Sequence, residues 1–165
     1  MERRPFLTSL AAMAVRAIAA FLALPTLVYL ASPFRGRRPE EGGWIDLGSI
    51  KSLPEGIPAL VPYEVAVEDG WQKRSRPASA WVIRRGADFR VFTSTCPHLG
   101  CAVRWNHELE SFRCPCHASA FAADGRRLEG PAPRGLDPLP WKADGDRLLV
   151  QHQAFRPGVA RRTSA

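Results

Sequence analysis

Cysteine is scarce outside one short region of the chain. The sequence has four cysteines in 165 residues, and all of them lie between Cys96 and Cys116. Three of the four histidines lie in this region or directly after it, and two of them, His98 and His117, lie within three residues of a cysteine. Because the rest of the chain carries no thiol, any thiolate metal site has to be built from these residues.

The chain also lacks a long helical period after its N-terminal apolar segment, which excludes a largely helical domain. Short runs rich in valine, tyrosine and tryptophan, broken by Gly, Pro, Asn and Asp, are typical of strands and turns. We therefore predict an all-β fold of small antiparallel sheets. The predicted strands and hairpins cover residues 44–47, 59–67, 80–85 with 89–92, 103–105 with 111–113, and 139–142 with 147–150.

A basic face interleaved with aromatic residues is absent, although the formal net charge is +7. Residues 44–155 carry 14 basic and 13 acidic residues, whereas residues 156–165 carry three basic residues and no acidic ones. The excess positive charge therefore lies in the terminal segments, where it is typical of membrane flanks or solvated tails. We expect no nucleic-acid partner.

The cysteine-rich region consists of two similar halves, CPHLGC and CPCHAS. Each half offers one cysteine and one histidine at close spacing, Cys96 with His98 and Cys114 with His117. Two thiolates and two imidazoles make a complete four-ligand set for a metal centre. A structural zinc site uses the same ligand types, but zinc motifs usually pair like with like, and zinc would leave Cys101 and Cys116 unexplained.

These two halves resemble the cluster-binding loops of Rieske iron–sulfur proteins of the quinol–cytochrome c oxidoreductase type. In that ligand set, two histidines replace two cysteines on one iron of a [2Fe–2S] cluster. The resemblance implies that Cys96 and Cys114 hold one iron and that His98 and His117 hold the other. It also implies a disulfide between Cys101 and Cys116. Weaker similarity extends over residues 44–152.

Two further features of the region bear on this resemblance. Residues 130–133, GPAP, could form a simple stiff turn, but their order and spacing after CPCHAS favour a resemblance to the proline loop that covers the cluster in the family. After His117 the family has Gly-Ser-x-Tyr, and this chain has Ala118, Ser119 and Phe121. The Ser119 hydroxyl could donate to a cluster sulfur. Phe121 has no hydroxyl, so we expect a lower potential and menaquinol as the quinol.

The resemblance implies a catalytic subunit of a quinol–cytochrome c reductase that is not an enzyme alone. Its expected partners are a cytochrome b subunit, a c-type cytochrome and quinol, and the exposed His98 or His117 would accept a hydrogen bond from the quinol hydroxyl. Alternative functions are the small Rieske subunit of an arsenite-oxidase-like enzyme and a Rieske ferredoxin or oxygenase component. The ferredoxin would lack the Cys101 and Cys116 pair.

The N-terminal residues predict export and membrane attachment. Residues 3–7, RRPFL, resemble a twin-arginine signal, although an arginine pair can precede an apolar run by chance. The apolar stretch that follows could span a bilayer, but Arg16 interrupts it. We expect a retained single anchor in residues 1–31, in the inner membrane of a bacterium, with the Rieske head on the periplasmic side.

The remaining segments complete the expected organisation. Residues 32–43 are rich in Pro, Gly and charge, and we expect a hinge or a plain tether there. Residues 44–155 form the expected Rieske domain, and residues 156–165 are expected to be a basic tail. His107 and His152 are expected to be ordinary surface histidines. The tryptophans Trp71, Trp81, Trp105 and Trp141 are expected to serve in packing.

Overall fold

The structure, a computed structural model, describes residues 3–31, 43–69 and 72–164. Most of the expected hinge, residues 32–42, lies outside the described residues, as does Trp71. The chain divides into two compact units, Met1–Arg38 and Pro39–Ala165.

The N-terminal unit contains one helix, α1 (Arg3–Ala31), of 29 residues. The mean hydropathy of its most apolar window is 2.0, and all of that window is exposed. A helix of this length extends about 43 Å, more than the ~30 Å of a bilayer core. Length and composition therefore allow α1 to cross a membrane, and a signal sequence shares both properties. The helix continues through Arg16 and through Pro25.

In the second unit, ten strands within the described residues form three antiparallel sheets, with the orders β1-β10-β9, β2-β3-β4 and β5-β6-β7-β8. The strands are β1 (Trp44–Ser49), β2 (Ala59–Asp69), β3 (Gln72–Arg85), β4 (Asp88–Thr93), β5 (Arg104–Asn106), β6 (Ser111–Arg113), β7 (Ala120–Ala122), β8 (Arg127–Glu129), β9 (Trp141–Asp144) and β10 (Arg147–Gln151). A short 3-10 helix, Ile50–Ser52, follows β1. The predicted all-β fold with an apolar N-terminal helix is confirmed.

Two of the predicted hairpins use the same turn chemistry. Gly86 lies between the paired residues Arg85 and Asp88, and its φ is 63°. Gly145 occupies the same place between β9 and β10, with a φ of 57°. A glycine with positive φ at the first position of a two-residue loop matches the turn that suits the twist of paired strands.

Strand β3 separates two hydrophobic cores because its side chains alternate between the faces of the sheet. Ala80 and Val82 belong to a core between β2, β4, β9 and β10. Trp81 and Ile83 point to the other face and belong to a second core that contains Cys96 and further residues of the cysteine-rich region. The cysteine-rich region is therefore built directly on the central sheet.

The sequence missed several elements. Strands β7 and β8 have three residues each and were not predicted, whereas the equally short β5 and β6 were recognised as the two arms of a hairpin. The first half of β3 also escaped prediction, because its polar residues from Gln72 onward are exposed and lack an apolar alternation. It pairs with β2 in a long two-stranded extension.

Candidate metal centre

The first cysteine-rich loop connects β4 to β5 and is fixed at both ends. The backbone N–H of Cys96 donates to the carbonyl of Cys101 over 2.7 Å, and that of Gly100 donates to the carbonyl of Cys96 over 3.0 Å. At its base, the Val103 N–H donates to the carbonyl of Ser94, and the indole of buried Trp81 donates to the carbonyl of Val103. These bonds hold the loop as a compact turn with His98 near its tip.

The second loop, between β6 and β7, lies beside the first because β5 and β6 form a hairpin. The Cys114 N–H donates to the carbonyl of Ser119 over 2.9 Å and closes this loop. Hairpin pairing of Arg104 with Arg113 brings the ends of both loops together. A hairpin is the simplest way to place two sequence-distant ligand pairs around one centre.

The two free thiols lie in the second core beneath these loops. Cys96 is fully buried and Cys114 is 3% exposed. Burial raises the pKa of the Cys96 thiol; the His98 backbone N–H opposes this rise, and the adjacent Cys114 thiol adds to it. A bare thiolate is therefore costly here, and a bound cation would supply the charge that offsets the cost.

The two histidines lie together at the outer ends of the loops. The ring centroids of His98 and His117 are 4.8 Å apart and the rings are perpendicular. The His98 Nδ1 atom is buried and has no hydrogen-bond partner among the described residues. A buried, unpartnered ring nitrogen is expensive unless it binds something. His117 is exposed. The donor set of two buried thiols and two adjacent imidazoles therefore fits a mixed-ligand [2Fe–2S] cluster.

A disulfide joins the two loops. It links Cys101 and Cys116, which are separated by 15 residues in the chain. The Cys114 sulfur lies near it, and the three sulfur atoms of Cys101, Cys114 and Cys116 all lie within 4.8 Å of one another. Sulfurs in a disulfide carry no thiolate charge, so of these three only Cys114 is available as a thiolate ligand.

Ser119 connects the second loop to the proline loop and to Cys96. Its side chain is fully buried, and its Oγ accepts a hydrogen bond from the Ala132 N–H over 3.1 Å. The hydroxyl proton remains free to donate. A hydrogen bond with Ser119 lowers the pKa of the Cys96 thiol, but burial has the larger effect, so the pKa of this thiol is raised overall. The Ser119 hydroxyl therefore stabilises negative charge on the sulfur of Cys96.

The proline loop lies against the second loop at Gly130. This residue has a φ of +87°, and a Cβ atom built on it would lie 2.4 Å from the Ser119 Cα. Only glycine therefore allows this close approach. The sequence placed Gly130 in the proline loop or in a stiff turn, but it gave no sign of the contact with Ser119.

The structure corrects the expectation for His152. This residue is half-buried, its Nδ1 shares a 2.9 Å hydrogen bond with the Tyr63 hydroxyl, and its Nε2 is buried. Burial, reinforced by Arg76, lowers the pKa of His152. His107 is exposed, as expected.

Three of the four tryptophans expected to serve in packing are described. Trp81 is buried in the second core, where its ring contacts Phe112 at a centroid distance of 5.3 Å. Trp105 contacts the same phenylalanine at 4.8 Å. Trp141 packs against Phe89 in the first core.

The expected basic tail is also folded differently from a solvated segment. Residues 155–164 form a hairpin, with Phe155 paired to Ser164 and the Arg156 N–H donating to the Thr163 carbonyl over 3.0 Å. The Gly158 N–H donates to the carbonyl of Pro97 in the first loop over 2.9 Å. These contacts are not evident in the sequence, because three arginines without an acidic residue in ten residues are typical of an exposed tail.

Comparisons with known proteins identify the family of this domain. The family model of the Rieske [2Fe-2S] domain matches residues 43–140. The cytochrome b6-f complex iron-sulfur subunit of Synechococcus sp. (strain JA-3-3Ab) is 31% identical over 150 residues, covering 90% of this chain and 86% of that protein. The menaquinol:cytochrome c reductase iron-sulfur subunit of Geobacillus thermodenitrificans is 32% identical over 98 residues, covering 56% and 58% of the two chains.

A similar solved structure is the plasma membrane Rieske protein PetC3 from Synechocystis PCC 6803. It is 28% identical, with a TM-score of 0.45, and the match covers 65% of this chain and 98% of that one. The match of the family model to more than half of the chain, together with the long relative, establishes the family. The chain belongs to the Rieske [2Fe-2S] domain family, and its cofactor is a [2Fe-2S] cluster.

Proposed function

We propose that this chain is the electron-transfer subunit of a membrane-bound quinol–cytochrome c reductase. In this proposal Cys96 and Cys114 hold one iron of the cluster, and His98 and His117 hold the other. The observation that carries the assignment is the pairing of two buried free thiols with two adjacent imidazoles in the same two loops. The bound cluster supplies a one-electron acceptor.

The cysteine end and the histidine end of the site differ in the charge that their side chains bring. Cys96 and Cys114 bring negative charge into an apolar core, where it is retained only beside compensating positive charge. His98 and His117 bring neutral imidazoles at the outer end, and the smaller negative charge there favours acceptance of an electron. Each imidazole keeps a second ring nitrogen that can hold a proton.

The orientation of His98 supports a role in proton uptake. Because its Nδ1 is the buried atom, Nε2 is the nitrogen left to face a substrate. A hydroquinone loses protons together with its electrons, so its hydroxyl needs an acceptor at hydrogen-bond distance. His117 is exposed and supplies a second such group. We infer that the quinol hydroxyl docks at this histidine pair.

The partners follow from the relatives. One relative is a subunit of a cytochrome b6-f complex and another is a subunit of a menaquinol:cytochrome c reductase. We infer a cytochrome b subunit that holds the quinol and a c-type cytochrome that receives the electron. Phe121, which lacks the tyrosine hydroxyl, favours a lower potential and therefore menaquinol.

The location follows from α1 and from the disulfide. Disulfides persist in oxidising compartments, and Cys101–Cys116 belongs to the folded domain. Arg3 and Arg4 at the start of α1 suit an export route for folded proteins. We infer that α1 stays as a single anchor in a bacterial inner membrane and that the Rieske domain lies on its periplasmic side.

The proposal is tested by purifying the full-length chain from solubilised native membranes together with whatever binds it. We expect b-type and c-type hemes in the purified complex and menaquinol-dependent reduction of cytochrome c. Replacement of His117 with alanine should abolish that activity, whereas replacement of the exposed His107 should not. Copurification with a molybdenum protein and without heme would instead support the arsenite-oxidase-like function.

A further inference from the structure

The C-terminal hairpin, residues 155–164, contacts the rest of the domain at two places, the first cysteine-rich loop and the segment that follows the proline loop. One contact is the Gly158 N–H to the Pro97 carbonyl, directly beside the proposed ligand His98. A Cβ atom built on Gly158 would lie 3.7 Å from the carbonyl oxygen of His98. The hairpin is therefore seated against the backbone of the first loop.

The second contact is a buried ion pair that follows the proline loop. The guanidinium of Arg134 binds the carboxylate of Asp137 through two hydrogen bonds of 2.8 Å each. The side chains are only 7% and 4% exposed. Arg134 also donates to the carbonyls of Val159 and Arg156 in the hairpin. A buried arginine with this many partners is held in one geometry.

Arg162 returns from the hairpin to the same carboxylate. Its Nε donates to Asp137 Oδ1 over 2.9 Å, and its side chain is 45% exposed. Asp137 is in turn fixed to the central sheet, because its carbonyl accepts from the Thr93 N–H over 2.9 Å. The carboxylate thus binds one arginine next to the proline loop and one arginine of the hairpin.

Together these contacts connect the first loop, which carries His98, and the second loop, which carries His117, to the proline loop and to the C-terminal hairpin. The proline loop binds the second loop through the Ala132 N–H and the Ser119 hydroxyl. The hairpin binds the proline-loop side through Arg134 and Asp137, and it binds the first loop through Pro97. Among the described residues, the hairpin thus adds a hydrogen-bonded connection of the first loop to those made by the β5–β6 pairing and the disulfide.

We propose that the C-terminal hairpin is a brace that positions the first and second loops, which carry His98 and His117. Its positioning residues are Arg134, Asp137 and Arg162. The proposal rests on the assignment of His98 and His117 as ligands under the proposed function. Because the brace holds Pro97, it fixes the loop that carries His98 relative to the loop that carries His117. Loosening the brace increases the motion of the first loop, although no brace side chain belongs to the ligand set.

The test uses hydrogen exchange measured by mass spectrometry on the full-length, cluster-containing protein in detergent. Arg162→Gln is the variant of choice, because the side chain is half-exposed and its loss leaves the Arg134–Asp137 pair in place. Arg162→Lys keeps the charge. Arg147→Gln is the matched control, because Arg147 forms a similar ion pair with Asp46 on a different sheet.

The expected result is faster exchange of the amides in residues 96–101, which Arg162 does not touch. Loss of a half-exposed ion pair should accelerate local opening there by about fivefold. Arg162→Lys should give a smaller acceleration, and Arg147→Gln should give none. The electron paramagnetic resonance spectrum of the reduced Arg162→Gln protein should also shift, while that of the control should not.

The proposal is overturned if exchange accelerates only within residues 134–137 and 155–164, or if the control accelerates residues 96–101 equally. Exchange at these amides does not depend on quinol, on a cytochrome or on turnover. A wrong assignment of the reaction would therefore leave this result unchanged, and the two proposals fail separately.

Discussion

Ala118, directly after the proposed ligand His117, has a backbone φ of 55°. This left-handed conformation costs a residue with a Cβ atom about 1–2 kcal/mol relative to glycine. The sequence raised this question, since the resembled family has glycine at the same position. The structure answers it, because the alanine adopts the strained conformation and leaves the loop in place.

We predict that Ala118→Gly stabilises the folded chain. Relief of the strain is partly offset by the greater entropy of an unfolded glycine, so the expected gain in unfolding free energy is about 0.5–1 kcal/mol. Chemical denaturation of the full-length protein measures the change. Ala143→Gly in β9 serves as the control and should lose about 0.5–1 kcal/mol. A loss of stability in both variants would contradict the strain assigned to Ala118.

Phe121 is fully buried in the same core as Cys96 and Cys114. We predict that Phe121→Tyr raises the midpoint potential of the cluster, because a hydroxyl near a cysteine sulfur donates to negative charge. Burial of an unpaired hydroxyl would cost about 1–3 kcal/mol, so retained stability would show that the new group has found a partner. Redox titration of the variant and the wild type gives the comparison. An unchanged potential would remove the argument for menaquinol.

Sequence reasoning worked best for short-range patterns. Cys96 with His98, and Cys114 with His117, are close in the sequence, so the composition of each loop singles out these four residues as candidate ligands. Contacts between distant residues were not visible in this way. Arg162 and Asp137 are 25 residues apart, and nothing in a local pattern distinguishes a paired arginine from a solvated one.

At the scale of elements, three kinds of link besides the C-terminal hairpin hold the first and second loops. The β5–β6 hairpin joins their bases, the Cys101–Cys116 disulfide joins their outer parts, and the proline loop contacts Ser119. The hairpin was predictable from two short apolar runs around a polar turn. The packing of Gly130 on Ser119 was not, because it depends on a backbone approach that no sequence period encodes.

We predict that the double replacement Cys101→Ser with Cys116→Ser lowers the unfolding free energy. Closing a loop of 15 residues restricts the unfolded chain by about 3 kcal/mol. Denaturant unfolding with and without a thiol reductant measures the effect. The reductant should destabilise the wild type and leave the double variant unchanged, which separates the disulfide from other effects. Equal stability of wild type and variant would contradict the role of the disulfide as a link.

At the scale of the whole second unit, two cores share the central sheet, and strand β3 contributes alternate residues to each. The first core packs residues of the sheets together, and the second core contains the thiols of Cys96 and Cys114. The apolar run of Ala80, Trp81, Val82 and Ile83 made the strand predictable, but such an uninterrupted run does not reveal which face supports the site.

The stability of this unit should depend on pH through the protonation of His152. Burial lowers the pKa of His152 below the ordinary value of 6.5, so the unfolded state binds more protons as the pH falls below that value. The stabilisation is present above pH 6.5 and is lost as the pH falls through the lowered folded-state pKa. We predict that His152→Gln weakens the loss of unfolding free energy between neutral and mildly acidic pH, measured by denaturant titrations. His107→Gln should retain the wild-type pH dependence.

Metal and sulfide analysis of the purified full-length protein tests the ligand assignment most directly. We predict iron and acid-labile sulfide in equal amounts and a [2Fe–2S] electron paramagnetic resonance signal after reduction. Separate replacement of Cys96, His98, Cys114 or His117 with alanine should remove both the signal and the sulfide, whereas His107→Ala should retain them. Zinc without sulfide in the wild type, or an unchanged signal in a ligand variant, would contradict the assignment.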